Sequence, residues 1–439
     1  MSSSMILLLM FSSLVALMMT GAPLAFVLGA VAFIFTIFLW GESALVISVL
    51  QTFETMTSES LLAIPLYVLM ASILQRSGII EDLYAAMEKW FGGIGGGLAI
   101  GTIVICTIMA AMTGVVGAAV AAMGILALPS MLNRRYDERL ALGAICAGGT
   151  LGILIPPSVV TIVYAITAKI SIGKMFVAGI VPGLILAVMY SAYIWIRVLI
   201  NPSIAPRPEG QDAGAPLAEK LRALKTLILP ALIIFGVLGS IYKGIATPTE
   251  AAAVGVLGAL LSAAVSRRLV FREISGAASD TLKVTAMILW ITIGARTFIA
   301  VFTGTGGADS VVDFVQGLEV TRWAVLGTMI LVLVFLGLFL DEIGIIMLCV
   351  PVFLPIVIAL DFDPLWFGVL FMITAQMAYI TPPFGYTLFY LKGVLPPGIS
   401  IGQVYLGVIP FFLLQLLALL LFAVFPDLVV WLPNYMVGH

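Results

Sequence analysis

The chain has 439 residues, 62% hydrophobic and only 10% charged, with a formal net charge of −2 and a mean hydropathy of +1.22. This excludes an ordinary soluble domain, where about a quarter of residues are charged, and fits a polytopic membrane protein built from apolar stretches of about 20 residues. The only histidine is the terminal His439, which removes His-based acid–base and metal chemistry, and no phosphate-loop run and no basic, aromatic-rich patch suggests ATP or nucleic acid.

In chain order, spans are predicted near 4–20, 22–40 and 55–76. The first lacks a basic n-region and an A-x-A-like site, so it reads as a span and not a cleaved signal. The amphipathic piece "IIEDLYAAMEKWFG" at 79–92 suits a membrane interface and the role of an arm. The glycines of "GGIGGGLAIG" that follow read as close helix packing or a hinge. Next come an interrupted stretch at 97–132, a broken apolar segment at 138–169 and a span at 175–199. Cys106 and Cys146 fall in these runs, and Cys349 in the second half; without metal-ligand spacing they read as small buried hydrophobes. The polar stretch 201–226, "NPSIAPRPEGQDAGAPLAEKLRALK" and one residue more, is a surface linker ending in a short helix. Beyond it the order repeats: spans at 227–243, 248–266 and 281–303, an amphipathic piece at 305–320, an interrupted stretch at 323–358, a broken segment at 364–394 and a span at 403–425.

The two halves share a constant offset. Pro156-Pro157 recurs as Pro382-Pro383, and 382 − 156 = 226; Tyr164 and Tyr390, Pro129 and Pro355, Asp137 and Asp363, Gly78 and Gly304, and Gly29 and Gly255 keep the same 226. Residues 1–200 and 227–439 thus read as a duplicated membrane unit, a plan found in secondary transporters. Each arm of 97–132, either side of "TGVVGA", is about 16 residues, or roughly 24 Å, short of the ~30 Å hydrocarbon core. Two short crossing helices or a re-entrant hairpin are both open; 323–358 breaks likewise at "LDEIG". With hairpins, each unit crosses five times and the second is inverted. If the N-terminus lies outside, 15 of the 20 Lys and Arg residues fall on the cytoplasmic side, and Lys169, Lys174, Lys243 and Arg322 fall outside. This positive-inside bias favours an inverted repeat of two five-span units, each with a re-entrant hairpin (97–132, 323–358) and a broken helix (138–169, 364–394), with a cytoplasmic linker and both termini outside.

Broken helices expose N–H groups that suit anions and carbonyls that suit Na⁺. Glycine allows close approach of the backbone, and proline frees a carbonyl by removing a donor. The candidate cation set is Thr113, Gly114, Gly149 and Pro156 from the first unit and Asp341, Gly344, Thr381 and Pro382 from the second; Thr113, Ser158, Arg296, Asp341 and Thr381 are candidates for substrate. A Pro-Pro pair can be a simple kink and the Asp341-Glu342 pair a solvated loop; recurrence and intramembrane placement favour function. Arg296, the one basic residue placed inside a span, has three roles open: binding a carboxylate, pairing with Asp341 or Glu342, or snorkelling outward.

The segments "MTGVVGAAVAAMGILALPSM", "GGTLGILIPPSVVTIVYAITAKISIGKMFVAGIVPG" and "ITPPFGYTLFYLKGVLPPGISIGQVYLGVIP" resemble the large membrane subunit of tripartite ATP-independent periplasmic (TRAP) transporters, the DctM type. The resemblance implies a non-enzymatic, elevator-type transporter of the bacterial inner membrane, multi-pass, with periplasmic termini. It implies Na⁺-coupled import of a small organic acid (a C4-dicarboxylate, a related carboxylate or sialic acid), and two partners: a periplasmic substrate-binding protein and a small four-helix membrane subunit of DctQ type. A stand-alone Na⁺/dicarboxylate symporter is the alternative.

Overall fold

The computed structural model describes residues 3–207 and 216–437; His439 and the middle of the predicted linker, 208–215, lie outside the described residues. All the regular elements described are helices. The first unit contains α1 (Ser3–Met18), α2 (Leu24–Trp40), α3 (Val46–Met56), α4 (Ala63–Arg76), α5 (Ile79–Phe91), α6 (Gly97–Thr113), α7 (Val116–Asn133), α8 (Glu138–Thr150), α9 (Val159–Thr167) and α10 (Ile172–Ile200). The short α11 (Leu217–Ala223) ends the linker, as the sequence predicts. The second unit contains α12 (Ile228–Tyr242), α13 (Pro248–Val265), α14 (Phe271–Gly304), α15 (Gly307–Gln316), α16 (Arg322–Leu336), α17 (Glu342–Ala359), α18 (Pro364–Ile380), α19 (Tyr386–Lys392), α20 (Ile401–Val424) and α21 (Asp427–Val437).

The offset of 226 carries over to the helices. Both ends of α7 map onto the ends of α17 (342 − 116 = 359 − 133 = 226), and α8 and α18 start 226 residues apart. The duplicated aspartates explain those starts. Asp137 Oδ1 accepts from Leu140 N–H at 3.0 Å, and Asp363 Oδ1 from Leu365 N–H and Trp366 N–H at 2.6 and 3.1 Å, so each caps donors with no partner inside its helix. Where the units differ, one long helix replaces two short ones: α14 occupies the place of α3 and α4 together.

Three elements depart from the expected pattern. The predicted span 281–303 begins ten residues earlier, at Phe271. Helix α3 fills a stretch given no element, and its apolar residues Val46, Val49, Leu50 and Phe53, spaced for one helical face, are exposed. Helix α21 follows Pro426, where no element is expected.

The units interlock instead of lying side by side. Helix α2 packs on α14 and α13 on α4; α8 packs on α20 and α10 on α18; α7 packs on α19 and α9 on α17. Helices α1–α4 and α12–α14 form one group, α6–α10 and α16–α20 another, and α5 and α15 connect them in sequence. Among the described residues, eight helical stretches are long and apolar enough to cross a membrane, and many large apolar side chains on these and on the shorter α2 are exposed, including Leu261 and Leu417 on the former and Phe26 and Phe38 on α2. The protein is a multi-pass membrane protein. Helices α7 and α17, at 18 residues each, are among the eight, so length alone does not choose between a hairpin arm and a crossing.

Helices α8 and α20 of the two units approach each other backbone to backbone. A Cβ on Gly143 would strike the carbonyl of Gly407, and one on Gly407 would lie 2.5 Å from the Arg139 carbonyl. Glycine lets these two backbones touch, as in tightly packed membrane helices. Gly143→Ala should therefore cost about 1–3 kcal/mol by overpacking and lower the melting temperature in detergent. Gly236→Ala, where a Cβ meets nothing within 4 Å, should leave it unchanged.

Candidate functional site

In the first unit, α6 ends at Thr113, whose buried hydroxyl donates to the Met109 carbonyl at 2.9 Å. The turn is made by Gly114, at φ +58°, and by extended Val115. A Cβ on Gly114 would strike the Pro157 carbonyl and lie 3.0 Å from Ser158 Cα, so both the left-handed backbone and the lack of space require glycine. The turn thus closes directly onto the break in the facing helix. That break has a sequence cause: Pro156 and Pro157 supply no N–H, and the chain resumes as α9 only at Val159. The freed Ile153 carbonyl accepts from Ser158 Oγ at 2.9 Å and from Thr161 Oγ1 at 3.1 Å. Gly149 packs against Val120 of α7, drawing the end of α8 into the same cluster.

The second unit repeats the design with different side chains. Thr387 Oγ1 donates to the Tyr379 carbonyl at 2.6 Å, the counterpart of Thr161 on Ile153 (387 − 161 = 379 − 153 = 226). Thr381 Oγ1 donates to Met377 O at 2.6 Å, and Gly385 N–H to Thr381 O at 3.0 Å. Both Pro–Pro bonds are cis. Asp341 stands at the N-cap position of α17, and its Oδ1 lies 2.8 Å from where a Gly344 Cβ would be. The N–H of Glu342 donates to the Tyr379 hydroxyl at 3.1 Å, so this turn too is tied to its own break. One carboxylate oxygen of Glu342 is buried without a hydrogen bond.

The predicted site residues thus gather into two clusters, one holding Thr113, Gly114, Gly149, Pro156 and Ser158, the other Asp341, Gly344, Thr381 and Pro382. Tyr390 of the second unit packs against α7 of the first, its ring 2.7 Å from the position of a Gly117 Cβ. Among the described residues no hydrogen bond reaches the carbonyls of Pro156, Pro157 or Pro382. These are acceptors of the kind a small cation takes.

The clusters are not equally enclosed. Tyr164 is 0% exposed and its counterpart Tyr390 47%; Ser158 is 0% exposed and its counterpart Phe384 48%. One break is sealed and the other open.

Of the three roles open to Arg296, one is corrected by the structure: it pairs with neither Asp341 nor Glu342, and its Nη1 lies 3.4 Å from Glu54 Oε1. It lines a separate cleft with Gln51, Glu54, Lys169, Thr303 and Met347. The reason is α3, absent from the expected pattern, which packs along α14 and brings Glu54 to it. Glu54, Thr161 and Thr387 are not among the residues the sequence singles out. The offset of 226 marks Thr161 and Thr387, a duplicated threonine five residues after each Pro-Pro pair starts; the apolar face of α3 is the signal for Glu54.

The family profile described as "Tripartite ATP-independent periplasmic transporter, DctM component" matches residues 11–428. The C4-dicarboxylate TRAP transporter large permease protein DctM of Pseudomonas aeruginosa is 34% identical over 404 residues, covering 91% of this chain and 92% of that protein. The ectoine/5-hydroxyectoine TRAP transporter large permease protein UehC of Ruegeria pomeroyi is 31% identical, covering 97% and 98%. Among solved structures, the YdaH transporter of Alcanivorax borkumensis superposes with a TM-score of 0.66 at 15% identity, covering 93% of this chain and 96% of that one, a likeness of fold.

Removing the Tyr379 hydroxyl leaves the Glu342 N–H without its partner. Tyr379→Phe should cost about 1–3 kcal/mol, the range for a stranded buried donor, and Thr387→Val a similar amount by stranding the Tyr379 carbonyl. Both are read as falls in melting temperature in detergent, against Thr328→Val on exposed α16 as a control with little change.

Proposed function

This chain belongs to the DctM family of tripartite ATP-independent periplasmic transporters, a transporter permease and not an enzyme, and we propose that it is the large permease subunit of a Na⁺-coupled importer of an organic acid. The observation that carries the proposal is the pair of broken helices, each closed by its own turn, with carbonyls at Pro156, Pro157 and Pro382 that no hydrogen bond reaches among the described residues. Carbonyls of this kind suit Na⁺, and a coupling ion bound there favours one arrangement of the turns over another. Thr113, Gly114, Gly149 and Pro156 hold one Na⁺; Asp341, Gly344, Thr381 and Pro382 hold another. The substrate carboxylate lies between the turns, near Thr113, Ser158, Asp341 and Thr381, and takes its attraction from backbone N–H groups at the starts of α7, α9 and α17.

The hairpins are re-entrant and the units inverted in this reading, in the bacterial inner membrane with both termini periplasmic. The charge bias supports the orientation. The open break then faces the side of Lys392, which is cytoplasmic, and the sealed break faces outward; the arrangement is the inward-facing half of an alternating cycle. The interlocked group α6–α10 with α16–α20 moves against α1–α4 with α12–α14, the arms α5 and α15 bending between them. A periplasmic binding protein delivers the substrate and a small four-helix subunit completes the membrane part. The two relatives are named for a C4-dicarboxylate and for ectoine, so family membership leaves the acid open among a C4-dicarboxylate, a related carboxylate and sialic acid.

The test is uptake of radiolabelled acids into proteoliposomes holding this chain and its small subunit, with and without an inward Na⁺ gradient and the binding protein. Uptake should require both. Asp341→Ala, Thr113→Ala and Pro382→Ala should each cut it by about tenfold or more, about 1.4 kcal/mol per decade, in protein that still inserts and folds. Uptake that needs Na⁺ but no binding protein selects a stand-alone symporter, and uptake indifferent to Na⁺ removes the cation sites.

A further inference from the structure

A cleft of about 700 Å³ opens between α3, α9, α14 and α17, a volume within the usual range for small-molecule sites. Its walls come from both groups of helices: Gln51, Glu54, Thr292, Arg296 and Thr303 from α3 and α14, and Thr167, Lys169 and Met347 from the end of α9 and from α17. It is separate from the two turns, since none of Thr113, Ser158, Asp341 or Thr381 lines it. Two cations, Arg296 and Lys169, and one carboxylate, Glu54, line it.

The ion pair in this cleft is poorly made. Arg296 Nη1 and Glu54 Oε1 are 3.4 Å apart, and that nitrogen is buried without a hydrogen bond. The two partners also differ in solvation: the Glu54 side chain is 66% exposed and that of Arg296 only 19%. Water can therefore take over Glu54 at little cost, as for any exposed ion pair. The guanidinium, half withdrawn from water with an idle donor, gains from a better acceptor. A carboxylate arriving from solution matches its planar fork in two parallel hydrogen bonds.

We propose that this cleft is an anion-binding vestibule in which Arg296, assisted by Lys169, takes the carboxylate of an organic acid in place of Glu54. The proposal rests on the transport reading for its biological sense: the cleft lies at the end of the molecule carrying Lys169, the periplasmic end in that reading, and holds cargo between delivery and the turns. Because its walls belong to both groups of helices, sliding of one group against the other dismantles the site and releases the anion.

The test is cysteine labelling of the purified full chain with its small subunit. Thr303→Cys places an exposed thiol on the cleft wall, and Cys106, Cys146 and Cys349 are buried. An anionic sulfonatoethyl and a cationic trimethylammonioethyl methanethiosulfonate are compared, each relative to its rate with a free thiol. The anionic reagent should react about tenfold faster, the lower end of the gain from a focused field. Glu54→Gln should widen that preference, Lys169→Gln narrow it, and Arg296→Gln abolish it; Arg296→Lys, which keeps the charge, should retain it if Arg296→Gln does not fold. Succinate should slow labelling by the anionic reagent, and still do so in Thr113→Ala. Equal rates for the two reagents, or a preference unmoved by Glu54→Gln and by Arg296→Gln, would overturn the proposal. Na⁺-driven uptake alongside equal rates sinks the vestibule and leaves the transport reading; a clear preference and succinate protection without Na⁺-dependent uptake does the reverse.

Discussion

Inside a bilayer every backbone N–H and C=O must find a partner within the protein, because lipid offers none. Among the described residues, two proline pairs interrupt apolar segments and set that rule aside locally, and much of the architecture manages the departure. At each break a threonine hydroxyl takes one freed carbonyl, Thr161 for Ile153 and Thr387 for Tyr379. At each break a turn from a preceding helix pair closes on the gap, Gly114 against Pro157 and the Glu342 N–H on the Tyr379 hydroxyl. The carbonyls left over are the resource: they are polar, intramembrane and held in place by helices that cannot move independently.

Interlocking explains why the breaks hold their shape. Helix α7 packs on α19 and α9 on α17, so each turn's second arm supports the broken helix of the other unit. A duplicated unit with a loose interface would not preserve such geometry, whereas backbone contact through Gly143 and Gly407 fixes the pair α8 and α20 at close range. The same duplication makes the difference between the halves meaningful. Equivalent tyrosines, one sealed and one open, show that the two breaks experience different surroundings within one conformation.

Much of this was legible in the sequence because it depends on backbone-determining residues. Proline pairs, capping aspartates and turn glycines recur at one offset, and the interrupted stretches 97–132 and 323–358 break within a few residues of the observed turns, at Gly114 and before Glu342. What was not legible depends on tertiary neighbours. Helix α3 has polar residues enough to read as a loop until its apolar face is seen exposed, so Glu54 is absent from the three roles open to Arg296, yet it is Glu54 that stands beside the guanidinium. The duplicated Gly78 and Gly304 do not share a role: Gly78 takes the left-handed conformation, but in the second unit Gly306 does, two residues on. The tyrosines around Asp341 and Glu342 come from a different segment of chain, and nothing in their spacing announces that they surround an acidic pair.

The central claim is that the two units lie inverted in the membrane, so that equivalent breaks open to opposite sides. Its most direct test is single-cysteine labelling in intact cells and in permeabilised cells at one equivalent pair, Lys169→Cys and Leu395→Cys (395 − 169 = 226), just beyond α9 and α19. Inversion predicts that an impermeant reagent reaches position 169 in intact cells and position 395 only after permeabilisation. Labelling of both positions from the same side would contradict it.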